Sequence, residues 1–146
     1  MALSYTAAQI NIANSHVAIT RPGTAGEEIS MGELVALKDA DGYLYPADAD
    51  DTELARAIGI VVEVDELLGS DTSADAGDAV TVCVYGPVGG FSSLGEGSYG
   101  YVSATAGAID ATSPADANTY GFVVGRCETS TIFFVDIGIS IPAYGS

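Results

Sequence analysis

Val80-Thr81-Val82-Cys83-Val84-Tyr85 is the stretch that decides the fold class. Its valines recur at every second position, and β-branched residues alternating in this way mark an extended chain with one strongly apolar side. The loop-like run 65–77 precedes it, and Gly86-Pro87-Val88-Gly89-Gly90 follows. Glycine and proline at that density predict that the strand breaks at Gly86.

The same grammar extends in both directions. Residues 33–38 and 43–46 read as strands around the turn Asp39-Ala40-Asp41-Gly42. Residues 58–64 read as a strand apolar on both sides, and residues 99–103 and 108–111 as two more around a turn at 104–107. Residues 120–127 and 131–137 flank the hairpin turn Glu128-Thr129-Ser130. Residues 47–51 and 113–118 are loops by composition, and residues 52–57 suggest one helical turn capped by Asp51 or Thr52. Short strands at this spacing, without a sustained helical period, predict an all-β fold: a small sandwich or barrel, β-tulip or jelly-roll-like.

The ends of the chain differ from its middle. Residues 1–20 carry no formal charge. Within them Ile10 and Ile12 alternate with Gln9 and Asn11, and Val17 and Ile19 with His16 and Ala18. That period-two pattern is either a strand of the domain's own sheet or an extended N-terminal arm laid across a neighbouring chain. The expected division is therefore an arm over residues 1–25 and one β domain over residues 26–146. Ile137, Ile139 and Ile141 repeat the alternation in the uncharged tail.

Composition restricts the classes of function. The 146 residues suit one domain, and the formal charge is −16, with only Arg21, Lys38, Arg56 and Arg126 basic. Such a field argues against nucleic acid, whose phosphates need clustered cations, and against anionic membranes. It is first a device for solubility, and it leaves room for a cation or a basic partner. Residues 1–19 lack the charged start and apolar run of a secretory signal, and the apolar run 57–62 is far too short to span a bilayer. Cys83 and Cys127 lie in apolar runs and read as small buried hydrophobes of a reducing compartment, with a disulfide left open.

Catalytic constellations find little material. His16 is the sole histidine, and no tryptophan is available to stack a sugar. Asp39-Ala40-Asp41-Gly42 fails as a calcium loop: Tyr43 stands at the fifth position and the glycine comes at the fourth. The glycine-rich runs 86–90 and 95–100 lack the Lys-Ser/Thr ending of a phosphate loop. No residue is singled out as catalytic, cofactor-binding or metal-ligating, and no enzyme is expected.

A series of phrases then appears in a characteristic order. It runs Gly-Glu-Glu-Ile-Ser-Met-Gly-Glu-Leu-Val (26–35), Asp-Gly-Tyr-Leu-Tyr-Pro-Ala-Asp (41–48) and Ala-Arg-Ala-Ile-Gly-Ile (55–60). Ala-Gly-Asp-Ala-Val-Thr-Val (76–82), Tyr-Val-Ser-Ala-Thr-Ala-Gly-Ala-Ile (101–109) and Val-Val-Gly-Arg (123–126) complete it. From about Gly26 to Val135, roughly three-quarters of the chain, this resembles the decoration (cement) proteins of tailed-bacteriophage heads and related head-fibre modules. The resemblance implies a virion protein made in the bacterial cytoplasm. It would bind the major capsid protein on the outer shell, commonly as a homotrimer with an N-terminal arm. Ile10, Ile12, His16, Val17, Ile19 and Arg21 are the expected capsid or subunit contacts. The alternative is a head- or tail-fibre module for a host receptor or carbohydrate, with Tyr43, Tyr45, Tyr85, Tyr99 and Tyr101 lining its surface.

Overall fold

The structure, a computed structural model, describes residues 2–64, 72–113 and 122–137. Its strands are β1 (Ser4–Tyr5), β2 (Asn11–Ile12), β3 (Ile19–Thr24), β4 (Ile29–Ser30), β5 (Leu34–Leu37), β6 (Leu44–Pro46) and β7 (Ala57–Val64). They continue with β8 (Ser73–Ala74), β9 (Ala79–Gly89), β10 (Phe91–Ser92), β11 (Tyr99–Val102), β12 (Ile109–Asp110), β13 (Val123–Cys127) and β14 (Ile132–Asp136). A single 3-10 turn, Ala7–Gln9, is the one helical element among the described residues. The main sheet is antiparallel in the order β12-β11-β13-β14-β9-β7-β5-β6 and curls into a half-barrel, with β2 and β3 also paired to β9. Two small ribbons, β1-β10 and β4-β8, complete an all-β fold of the sandwich or barrel kind.

β9 corrects one expectation. The strand does not break at Gly86 but continues to Gly89 and becomes the spine of the sheet. In its first half Thr81 lies opposite both Pro22 of β3 and Glu63 of β7. In its second half Val88 lies opposite both Ile12 of β2 and Phe133 of β14. Gly86 holds φ at +125°, and a Cβ there would stand 2.7 Å from the Ala18 Cα, because the N-terminal segment passes against the strand at that point. Only glycine fits both the backbone angle and the approach. Pro87 is accommodated alongside: it lies opposite Phe134, and its carbonyl accepts the Ala13 N–H at 3.0 Å. Turn-forming residues here serve a crossing of chains rather than a turn.

Alternation distributes the core to both sides of the sheet. Ile60, Val62 and Cys83 point into the larger cluster with Leu34, Val88, Phe91, Val102, Val124, Phe133 and Val135. Their neighbours Val61, Val80 and Val82 point the other way, to Ala25, Ile29, Val35, Leu44 and Ala74. The smaller cluster is thus roofed by Ala25 and by the paired strands β4 and β8. Fully buried Phe133 stacks at a tilt on Phe91 with ring centres 5.9 Å apart, and Tyr5 meets the edge of Phe91 at 5.6 Å. Burying rings of this size is the largest single contribution a side chain makes to such a core.

Both cysteines are buried free thiols. Cys83 sits on β9 and Cys127 on β13, and β14 lies between these strands, so no disulfide joins them. Burial raises both thiol pKa values, and the Cys83 thiol donates a hydrogen bond to the Tyr85 carbonyl at 3.4 Å.

The turns follow their chemistry. Between β5 and β6 the Asp41 carboxylate accepts the Tyr43 N–H at 3.0 Å and the Tyr45 hydroxyl at 2.6 Å, and Gly42 takes φ +76°. The suggested helical turn at 52–57 is instead a non-helical turn. Asp51 accepts the Glu53 N–H with its side chain at 2.8 Å and the Leu54 N–H with its carbonyl at 3.0 Å, and the chain enters β7 at Ala57 without continuing as a helix. Residues 114–118 of the expected loop 113–118 and the tail alternation at Ile139 and Ile141 fall outside the described residues.

Candidate interaction surface

The N-terminal segment is extended and pairs with strands of the same chain. β1 pairs with β10, β2 and β3 pair with β9, and the Leu3 N–H donates to the Ile109 carbonyl at 2.7 Å. At the expected boundary, Ala25 is fully buried and its N–H donates to the Asp78 carbonyl at 2.9 Å.

The six residues singled out there separate by burial. Ile10 is 4% exposed and belongs to the larger core, so it is not available to a partner while the segment is seated. Ile12 packs against the same core and is partly buried. His16, Val17, Ile19 and Arg21 are exposed. Between the segment and β7 lies an open groove of about 440 Å³, lined by Ile12, Ser15, Thr20, Glu63 and Thr81 among others. Pro22 falls where the ladder would turn its nitrogen away from β9, counting back from the Ala25–Asp78 bond. The missing N–H therefore costs nothing inside the sheet and blunts the outer edge of β3 against casual strand pairing.

The register of the main sheet assembles a second feature, which only the fold reveals. Phe134 and Asp136 alternate with the core residues Phe133 and Val135, so they point outward. Asp136 lies opposite Tyr85, and Tyr85 lies opposite Ile19. Phe134 lies opposite Arg126, and Arg126 lies opposite Tyr99. A stripe of outward side chains consequently crosses β3, β9, β14, β13 and β11. The Tyr85 and Phe134 rings meet edge-on with centres 5.1 Å apart. Ile19 is 57%, Tyr99 54% and Tyr85 38% exposed, and Val17 at 40% stands two residues from Ile19. At one end Tyr99, Val123, Arg126 and Asp136 line a shallow depression of about 300 Å³. Tyrosine, phenylalanine and arginine are the types enriched at protein interfaces.

The tyrosines divide accordingly. Tyr85 and Tyr99 belong to the stripe, and Tyr101 is half-buried on the next outward position of β11. Tyr43 is exposed far along the sheet at the β5–β6 hairpin, and Tyr45 is engaged by Asp41 and by Lys38, whose ammonium lies 5.1 Å from its ring centre. Sequence alternation made these residues resemble cross-strand packing. Only the register tells which of them face water.

Elsewhere several ionisable groups make local contacts. Glu33 is half-buried, which raises its pKa; its carboxylate accepts the Ser30 N–H at 2.6 Å, which opposes the rise, and Glu27 and Glu28 add to it. Tyr5 titrates above its ordinary value through burial and then through Glu33. Asp48 and Asp51 each accept a backbone N–H two residues on, and no cluster of three metal-ligating side chains occurs among the described residues. A comparison with protein-family models and with characterised proteins finds no match to this chain.

Proposed function

We propose that this chain is a structural protein of a tailed-phage virion, attached to the outside of the head and reinforcing contacts between major capsid subunits. It acts without catalysis or cofactor, as a homotrimer, and is made in the host cytoplasm. The ordered phrases from Gly26 to Val135 suggest the class. The observation that supports the reading is the outward-facing stripe from Ile19 through Tyr85 and Phe134 to Tyr99 on the β domain. The uncharged N-terminal segment adds Val17 and His16 beside it.

The test is occupancy of purified particles. A reinforcing protein is present in hundreds of copies per head, and heads lacking it open at lower temperature. Deleting residues 1–20 is a poor probe, since it removes Ile10 from the core along with β1 and β2. Exposed point changes such as Ile19→Ser leave the fold intact and should lower occupancy; unchanged occupancy would count against the stripe.

A second reading, a fibre module that holds a host receptor or carbohydrate, is favoured by one feature. The depression at Tyr99 places an exposed ring beside Arg126 and Asp136, a set suited to stacking on a sugar and hydrogen-bonding its hydroxyls. Copy number separates the two, since a fibre occurs in few copies per particle.

A further inference from the structure

We propose that the stripe docks on a basic protein surface, with partner lysine or arginine side chains seated on the rings of Tyr85 and Tyr99. This rests on the attachment reading and adds the chemistry of the partner face.

The argument starts from charge. Asp and Glu number 20 against 4 Lys and Arg, so the protein approaches any partner as a strong anion. Two of those four cations already lie on its own aromatic rings: Lys38 on Tyr45, and Arg56 on Phe122 at 4.8 Å. The stripe itself is neutral, since Arg126 and Asp136 contribute one charge of each sign. Its exposed rings thus sit uncharged within a negative field. Burying them against an acidic face would press like charges together and disfavour the complex. A basic face gains attraction at long range and cation–π contacts at short range, and arginine stacked on tyrosine is strongest where water is excluded. The Tyr85 ring is also pre-positioned, because its edge contact with Phe134 restricts its rotamers before docking.

The experiment uses the intact protein and phage heads assembled without it. Binding is measured by co-sedimentation for the wild type, for Tyr85→Ser with Tyr99→Ser, for Tyr99→Ser alone, and for Tyr43→Ser as an exposed tyrosine outside the stripe. Thermal unfolding checks that each variant folds. The expected loss is about tenfold for each stripe ring, with Tyr43→Ser unchanged. Raising ionic strength from about 0.1 M to about 1 M shortens the screening length from roughly 10 Å to roughly 3 Å, and wild-type binding should weaken steeply across that range. Wild-type binding that ignores salt, or a double variant that binds like the wild type, overturns the basic-face proposal and leaves attachment standing. Wild-type protein that does not bind heads at all overturns both.

Discussion

Replacing Gly86 by alanine tests whether the N-terminal segment is seated across β9 as described. Two penalties combine at that position. The backbone angle of +125° is one that L side chains rarely adopt, at a cost of about 1–2 kcal/mol. The new methyl group would also stand 2.7 Å from the Ala18 Cα and 3.0 Å from its Cβ, so the segment must move. Displacing packed backbone by this much costs about 1–2 kcal/mol more. The sum, about 2–4 kcal/mol, corresponds to a fall in melting temperature of roughly 5–15 °C for a domain of this size. Thermal and urea unfolding would read it, and limited proteolysis should show cleavage within residues 13–18 increasing first. A variant that melts within about 2 °C of the wild type would refute the seating.

Three further outcomes follow from the core and its ionisable groups. Phe133→Ala removes a fully buried ring that supports Phe91 and should cost about 3–5 kcal/mol in urea unfolding. Glu33 has a folded pKa above the 4.5 of the free side chain, so within that window the native state binds more protons than the unfolded one. Its contribution to stability is therefore undiminished below pH 4.5 and falls as pH rises through the folded value. Glu33→Gln should be more stable than wild type at pH 7 and lose that advantage near pH 4; an advantage independent of pH would contradict the assignment. Cys83 and Cys127, buried with raised thiol pKa values, should resist a thiol reagent in the native protein and react fully in denaturant.

Side-chain alternation is a local property, and what it controls was legible in the chain. The valines at 80, 82 and 84, the hairpins at 39–42 and 128–130, and the all-β class all rest on contacts a few residues apart. The continuation of β9 through Gly86 and Pro87 was not legible, because those residues answer to Ala18 and Phe134, which are distant in sequence. The same distinction governs the surface. Ile10 and Ile12 form one alternating pair and Val17 and Ile19 another, alike in sequence, yet Ile10 is buried and Ile19 is not, since burial depends on what lies opposite each. The stripe joins β3, β9, β14, β13 and β11, so no contiguous stretch of sequence contains it. Asp51 illustrates a smaller loss: a helix-capping residue and an Asx turn begin with the same side-chain hydrogen bond, and they diverge only at the next residues.

Electron cryo-microscopy of purified particles tests the central claim most directly. The account predicts repeated density over the outer shell, with Ile19, Tyr85, Phe134 and Tyr99 facing the major capsid protein and basic side chains opposite the tyrosines. Density confined to a tail or vertex fibre, or particles without this chain, would contradict it.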